Sequence, residues 1–217
     1  MFLGHFGVAF AAKKAAPAIS LGMLFVAAQF ADLLWPVLVL AGIERFEIHP
    51  GITAVTPLDF QHYPYSHSLV ALIAWGIALG FAYRIVRGGG WRAVIVIAAL
   101  VVSHWVLDFI VHRPDMPIGL DEGTKVGLGI WNSIPASMAI EFVLFGACFL
   151  VYARTTRAID RIGTWAFGAL IAFFIVIYLG SVFGPPPPST DAVAWSGIGM
   201  WLLIAWAYWI DKHRMAS

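Results

Sequence analysis

Histidine and aspartate recur through the first half of the chain at spacings that could assemble one site. His104 and Asp108 are four residues apart and His112 follows four later, so in a helix all three share a face. His5, Asp32, His62 and His67 precede them, and Glu141 comes after. Imidazole nitrogens with carboxylate oxygens suit a divalent ion, zinc first and manganese second, and a catalytic ion of that kind keeps a position for water. The same groups could relay protons in a transporter or permease. A third reading makes them hydrogen-bonded ties between helices. Cys148 is the only cysteine, which excludes an internal disulfide and a thiolate cluster and leaves a small packing residue.

The elements that must position these groups are membrane spans. The chain is 61% hydrophobic and 12% charged, far from the balance of a soluble domain. A helix needs about 20 apolar residues to cross the hydrocarbon core. Stretches of that kind run over 20–42, 67–84, 91–112, 134–153, 163–183 and 192–210. Gly88 to Gly90 and Pro185 to Pro188 mark turns between them. Residues 1–16 are too short to span and too apolar for a solvated tail. They predict a half-membrane or interfacial helix that turns at Pro17 and forms a hairpin with the first span. The expected fold is an all-α polytopic membrane bundle of about six transmembrane helices, one integral membrane domain over 1–217. Residues 1–120 bear the motifs, and 121–217 are mostly scaffold.

Orientation follows from basic residues, since loops rich in Lys and Arg stay cytoplasmic. Lys13, Lys14, Arg84, Arg87, Arg92, Arg154, Arg157, Arg161, Lys212 and Arg214 fall on one side of a six-span arrangement, against Arg45, Arg113 and Lys125 on the other. Both termini are therefore expected in the cytoplasm of a bacterial inner membrane, with loops 43–66 and 113–133 outside. No basic residue precedes the first apolar stretch, so the start lacks the form of a secretory signal peptide and is expected to stay attached. At about 1.5 Å per residue, Asp32 lies about 15 Å from the outer end of its span, His104 and Glu141 about 12 Å, and Asp108 about 6 Å. A site in the outer half of the bilayer suits an amphiphilic or lipid-linked substrate, with membrane lipids as neighbours. A net charge of +1 with scattered basic residues argues against nucleic acid.

The segments GHFG at 4–7, ADLLWP at 31–36, HYPYSHSL at 62–69 and SHWVLDFIVHRPD at 103–115 resemble the prokaryotic membrane-bound metal-dependent hydrolases. That family includes LexA-regulated inner-membrane proteins. The resemblance covers residues 1 to 120 or so. It implies His5, Asp32, His62, His67, His104 and Asp108 as candidate metal or catalytic residues, of which Asp32, His67, His104 and Asp108 are expected as metal ligands and His62 or His5 as a general base or an orienting group. Leu34 and Trp35 stand where the family pattern has a second Asp and a His. Glu141 and His112 are additional polar candidates outside that pattern. His49 and His213 are expected at the surface, and Ser66 and Ser68 as caps at the start of the second span.

Overall fold

The computed structural model describes residues 1–121 and 123–216. The chain runs through α1 (Leu3–Ala15), α2 (Leu21–Ala28), α3 (Phe30–Leu40), β1 (Arg45–Ile48), β2 (Leu58–His62), α4 (Pro64–His67), α5 (Leu69–Arg87) and α6 (Trp91–Val111). It continues through β3 (Met116–Pro117), β4 (Lys125–Val126), α7 (Ile134–Thr155), β5 (Thr156–Ala158), α8 (Arg161–Phe183), α9 (Thr190–Lys212) and β6 (Arg214–Ala216). Five helices, α5 to α9, are long and apolar enough to cross a membrane, and the bent α2–α3 pair makes a sixth when it is counted as one broken span. The all-α class expected from composition is the class observed. Large apolar side chains such as Ile95, Val143, Val176 and Leu202 are each at least 65% exposed, which in a spanning helix is the face offered to lipid.

The first span is not continuous. α2 and α3 meet at Gln29 with a bend of 58°, where the sequence reads as one apolar helix. Gln29 has left helical geometry at φ −101° and ψ 11°. At the break, the carbonyl of Ala28 accepts a hydrogen bond from His104 Nδ1 at 2.8 Å. The bend thus turns a backbone acceptor into the site, a diversion that side-chain insertion into a helix ladder commonly produces.

α1 is a buried half-helix and not an interfacial one. Leu3, His5, Phe6, Ala9 and Phe10 are all fully buried. Gly7 brings α1 close to α7, where a Cβ would stand 3.3 Å from the Phe145 backbone. Phe6 stacks on Phe174 of α8 at 4.2 Å between centroids, and Phe10 packs edge-on to Phe25 and Phe167. The aromatic rings hold the hairpin at the centre of the bundle. At its far end, Lys13 Nζ bonds Ile19 O and Asp211 Oδ1, each at 2.8 Å, so the one cation of α1 that enters the bundle is paired.

Short antiparallel ribbons close the two ends. β1 pairs with β2, and β3 with β4, over the end where the α3, α6 and α7 site residues lie. Arg113 ties this cap together, bonding Asp59 and, at 3.0 Å, Asp115. Burial pushes the Tyr63 phenol well above its ordinary pKa, helped by the adjacent Asp115 carboxylate, to which its hydroxyl donates. At the opposite end, β5 pairs with β6, and Arg214 donates to Thr156. The side chains of Ser68, Ser133, Asp160 and Ser189 cap α5, α7, α8 and α9.

Candidate metal centre

His104 is fixed by its outer nitrogen. A carbonyl can only accept, so the Ala28 bond requires a proton on Nδ1 and leaves Nε2 of the neutral ring as a bare lone pair. That Nε2 faces Asp108 Oδ2 at 3.1 Å and Asp32 Oδ1 at 3.7 Å. His67 is held the same way. Ser66 Oγ gives its proton to Glu44 Oε2 at 2.5 Å and therefore accepts from His67 Nδ1 at 2.7 Å. The Nε2 of His67 then faces Asp32 Oδ1, 3.4 Å away. Two imidazole lone pairs and a carboxylate thus converge from α6, α4 and α3.

Such a convergence of acceptors is repulsive unless a cation lies among them or an imidazole carries a second proton, and on the Asp108 side the Met1 ammonium already supplies one charge. Ligand atoms about 2.1 Å from a shared ion sit roughly 3 to 4 Å apart, and the two distances to Asp32 fall in that range. Asp32, His67 and His104 therefore fit a divalent ion by donor type, orientation and separation. The outer bonds through Ala28 and through Ser66–Glu44 are the kind that orient histidine ligands at metal sites.

A second ligand set shares His104. His5 Nε2 lies 3.0 Å from Asp108 Oδ1, and the His5 and His104 rings stack at 3.7 Å with a 3° interplanar angle. His5, His104 and Asp108 also have ligand atoms within 4.8 Å of one another. Because Nδ1 of His104 is committed to Ala28, the two sets meet at one nitrogen and describe one centre. The amino group of Met1 also reaches Asp108. His5 Nδ1 is buried without a partner among the described residues.

Glu141 borders this cluster with both oxygens engaged. They accept from Phe2 N at 2.7 Å and Gly4 N at 2.8 Å, which makes Glu141 the cap of α1. A carboxylate at a helix N-terminus satisfies orphan N–H groups and complements the helix dipole. His112 does not join the cluster either: its Nδ1 bonds Asp115 Oδ1 at 2.9 Å, and its ring packs against Trp131 and Phe60. α6 ends at Val111, so the helical face shared by His104 and Asp108 stops before His112. His62 is set apart on β2, opposite Arg45, beside a separate small cleft with Tyr63, Pro64 and Lys125. His49 and His213 are tied to Glu47 and Asp160 near the surface. Ser68 caps α5 as expected, whereas Ser66 bridges His67 to Glu44.

Two residues that sequence reasoning missed, Glu44 and Tyr178, and two that it named without this role, Ser66 and Trp35, complete the setting. Glu44, 1% exposed, accepts from Tyr65 N, Ser66 N and Ser66 Oγ. It lies 22 positions before Ser66 in a loop, a separation at which no periodicity signals contact. Trp35 and Tyr178 line a cavity of about 250 Å³ together with Asp32, His67, Asp108 and Glu141. Asp32 is the member of the cluster with an open side, its side chain 31% exposed. It also borders a larger cavity of about 800 Å³ between α8 and α9. Those two helices, expected mostly as scaffold, therefore also form walls. No protein-family model, curated protein or solved structure matches this chain.

Proposed function

We propose that this chain is a metal-dependent hydrolase of the bacterial inner membrane, acting on an ester or phosphoester of an amphiphilic or lipid-linked substrate at the outer half of the bilayer. One observation carries the reading: His67 and His104 are each held by an outer partner on Nδ1, so that both Nε2 lone pairs turn to Asp32. The four resembling sequence segments support the same reading.

Asp32, His67 and His104 would hold the ion, with Asp108 beside His104. Zinc is favoured by the donor set and manganese is the alternative. A divalent ion bound there supplies a polarising charge and a bound water of lowered pKa. Asp32 forms the open edge by which substrate reaches the cluster, while His5, His104 and Asp108 stay buried and exclude bulk water. His5 braces Asp108 through Nε2. The proton-relay reading loses Glu141, whose oxygens are committed to α1. Among the described residues, moreover, only one span is broken, where transporters of that design pair their broken helices.

The test is the metal content of detergent-purified protein. Near-stoichiometric zinc or manganese is expected in the wild type and in His62→Ala, and its loss in His67→Ala and His104→Ala. Wild-type protein that stays folded and metal-free after incubation with both ions would sink the hydrolase reading.

A further inference from the structure

The larger cavity runs along α9 from Val193 to Trp206, about 20 Å at 1.5 Å per residue, somewhat more than half of a hydrocarbon core about 30 Å thick. Its walls are apolar: Phe173 and Ile177 from α8, and Val193, Met200 and Leu203 from α9. Trp206 closes the deep end, its indole donating to Ala166 O of α8 at 3.1 Å. The other end meets Asp32 and Trp35, which border both cavities. A long apolar groove that opens to the lipid face at Leu202 and ends at one carboxylate has the polarity of an amphiphile.

Two further atoms point to the chemistry of the head. Trp35 is 7% exposed and Tyr178 3% exposed, and neither Trp35 Nε1 nor the Tyr178 hydroxyl has a hydrogen-bond partner among the described residues. Leaving a buried donor unmet costs roughly 1–3 kcal/mol, and because both side chains line the smaller cavity, a small turn of either ring would bring its donor to acceptor oxygens held there. Ester carbonyls and phosphate oxygens are such acceptors. We propose that the slot between α8 and α9 holds one hydrocarbon chain of a membrane lipid, whose head oxygens are bound by the Trp35 N–H and the Tyr178 hydroxyl. That the lipid is a substrate rests on the hydrolase reading; occupancy of the slot does not.

Gly199 makes the slot testable. It lines the cavity, and a Cβ there would meet nothing within 4 Å, so a large side chain can enter the slot without displacing backbone. Gly146 on α7 is equally open and lies outside the slot, which provides a matched control. The experiment reconstitutes the full chain in nanodiscs containing a phospholipid with a diazirine near its chain end, and maps photo-adducts by mass spectrometry. Adducts are expected to concentrate on Phe173, Met200 and Leu203, and to fall at least tenfold in Gly199→Trp but not in Gly146→Trp. Trp35→Phe and Tyr178→Phe should each lower slot labelling about fivefold, the loss of one hydrogen bond of about 1 kcal/mol. Labelling spread evenly over lipid-facing residues such as Ile95 and Val143, and unchanged by Gly199→Trp, would overturn the proposal. The metal assay separates the two ideas. Slot labelling on protein that binds no metal would leave the lipid site standing and the hydrolase reading fallen, and metal binding with even labelling would do the reverse.

Discussion

Glu44 shows how a residue outside the cluster can govern it. Its carboxylate accepts two backbone N–H groups and the Ser66 hydroxyl, and that hydroxyl in turn fixes the proton on His67 Nδ1. Removing the carboxylate frees Ser66 to donate to His67, which would turn the imidazole to its other tautomer and put a proton where the lone pair faces Asp32. Outer partners of this kind are worth about 10–100-fold in metal affinity. Glu44→Ala is therefore expected to weaken zinc binding by that factor in a competition titration. Ser66→Ala should act in the same direction, and Glu44→Gln should recover part of the loss. Unchanged affinity in all three would reduce Glu44 to a turn tie. Glu141 illustrates the opposite case, a carboxylate at site depth whose oxygens are spent on positioning α1.

At the scale of elements, two features set the geometry. The first is the break at Gln29, which swings Asp32 on α3 relative to α2 and releases the Ala28 carbonyl to His104. The second is the close approach of α5 and α6. Cβ atoms added at Gly76 and Gly80 would lie 3.0 Å from Ala98 O and 2.9 Å from Val94 O. Residues four apart that are both glycine form the small-residue seam by which membrane helices meet. Because the obstacles are backbone atoms, Gly80→Val must push the helices apart. It is expected to destabilise the protein by about 1–3 kcal/mol, read as a lower thermal midpoint in detergent. Since His104 rides on α6, metal affinity should fall with it. Gly146→Val, with open space around it, should leave both unchanged.

For the whole molecule, the helices place the ten-residue basic set at the end closed by β5 and β6, and the candidate centre toward the end capped by the other two ribbons. If Lys and Arg mark the cytoplasmic side, the cap and the cluster face outward. Single cysteines test this on a Cys148→Ala background, at the exposed positions Lys14 and Asp121. In intact cells a membrane-impermeant maleimide should label Asp121→Cys, and should label Lys14→Cys only after permeabilisation. The reverse pattern would place the site at the cytoplasmic leaflet and change the pool of lipids that the slot could sample.

The sequence by itself determined the class of the molecule and most of its spans, because hydropathy over about 20 residues is a local property that the bilayer enforces. It also determined that His104 and Asp108 share a helical face, since that follows from helix period alone. What it could not decide was which of the remaining polar groups meet. His5 reaches Asp108 only because α1 is buried at the centre, while His62 is carried away on β2 and His112 leaves the helix one residue after its end. Glu44, Trp35 and Tyr178 were illegible for the same reason: their roles arise from contacts between segments distant in the chain. Those contacts are set by the tertiary packing of the helices and by the bend at Gln29, quantities that no spacing along one strand of sequence encodes.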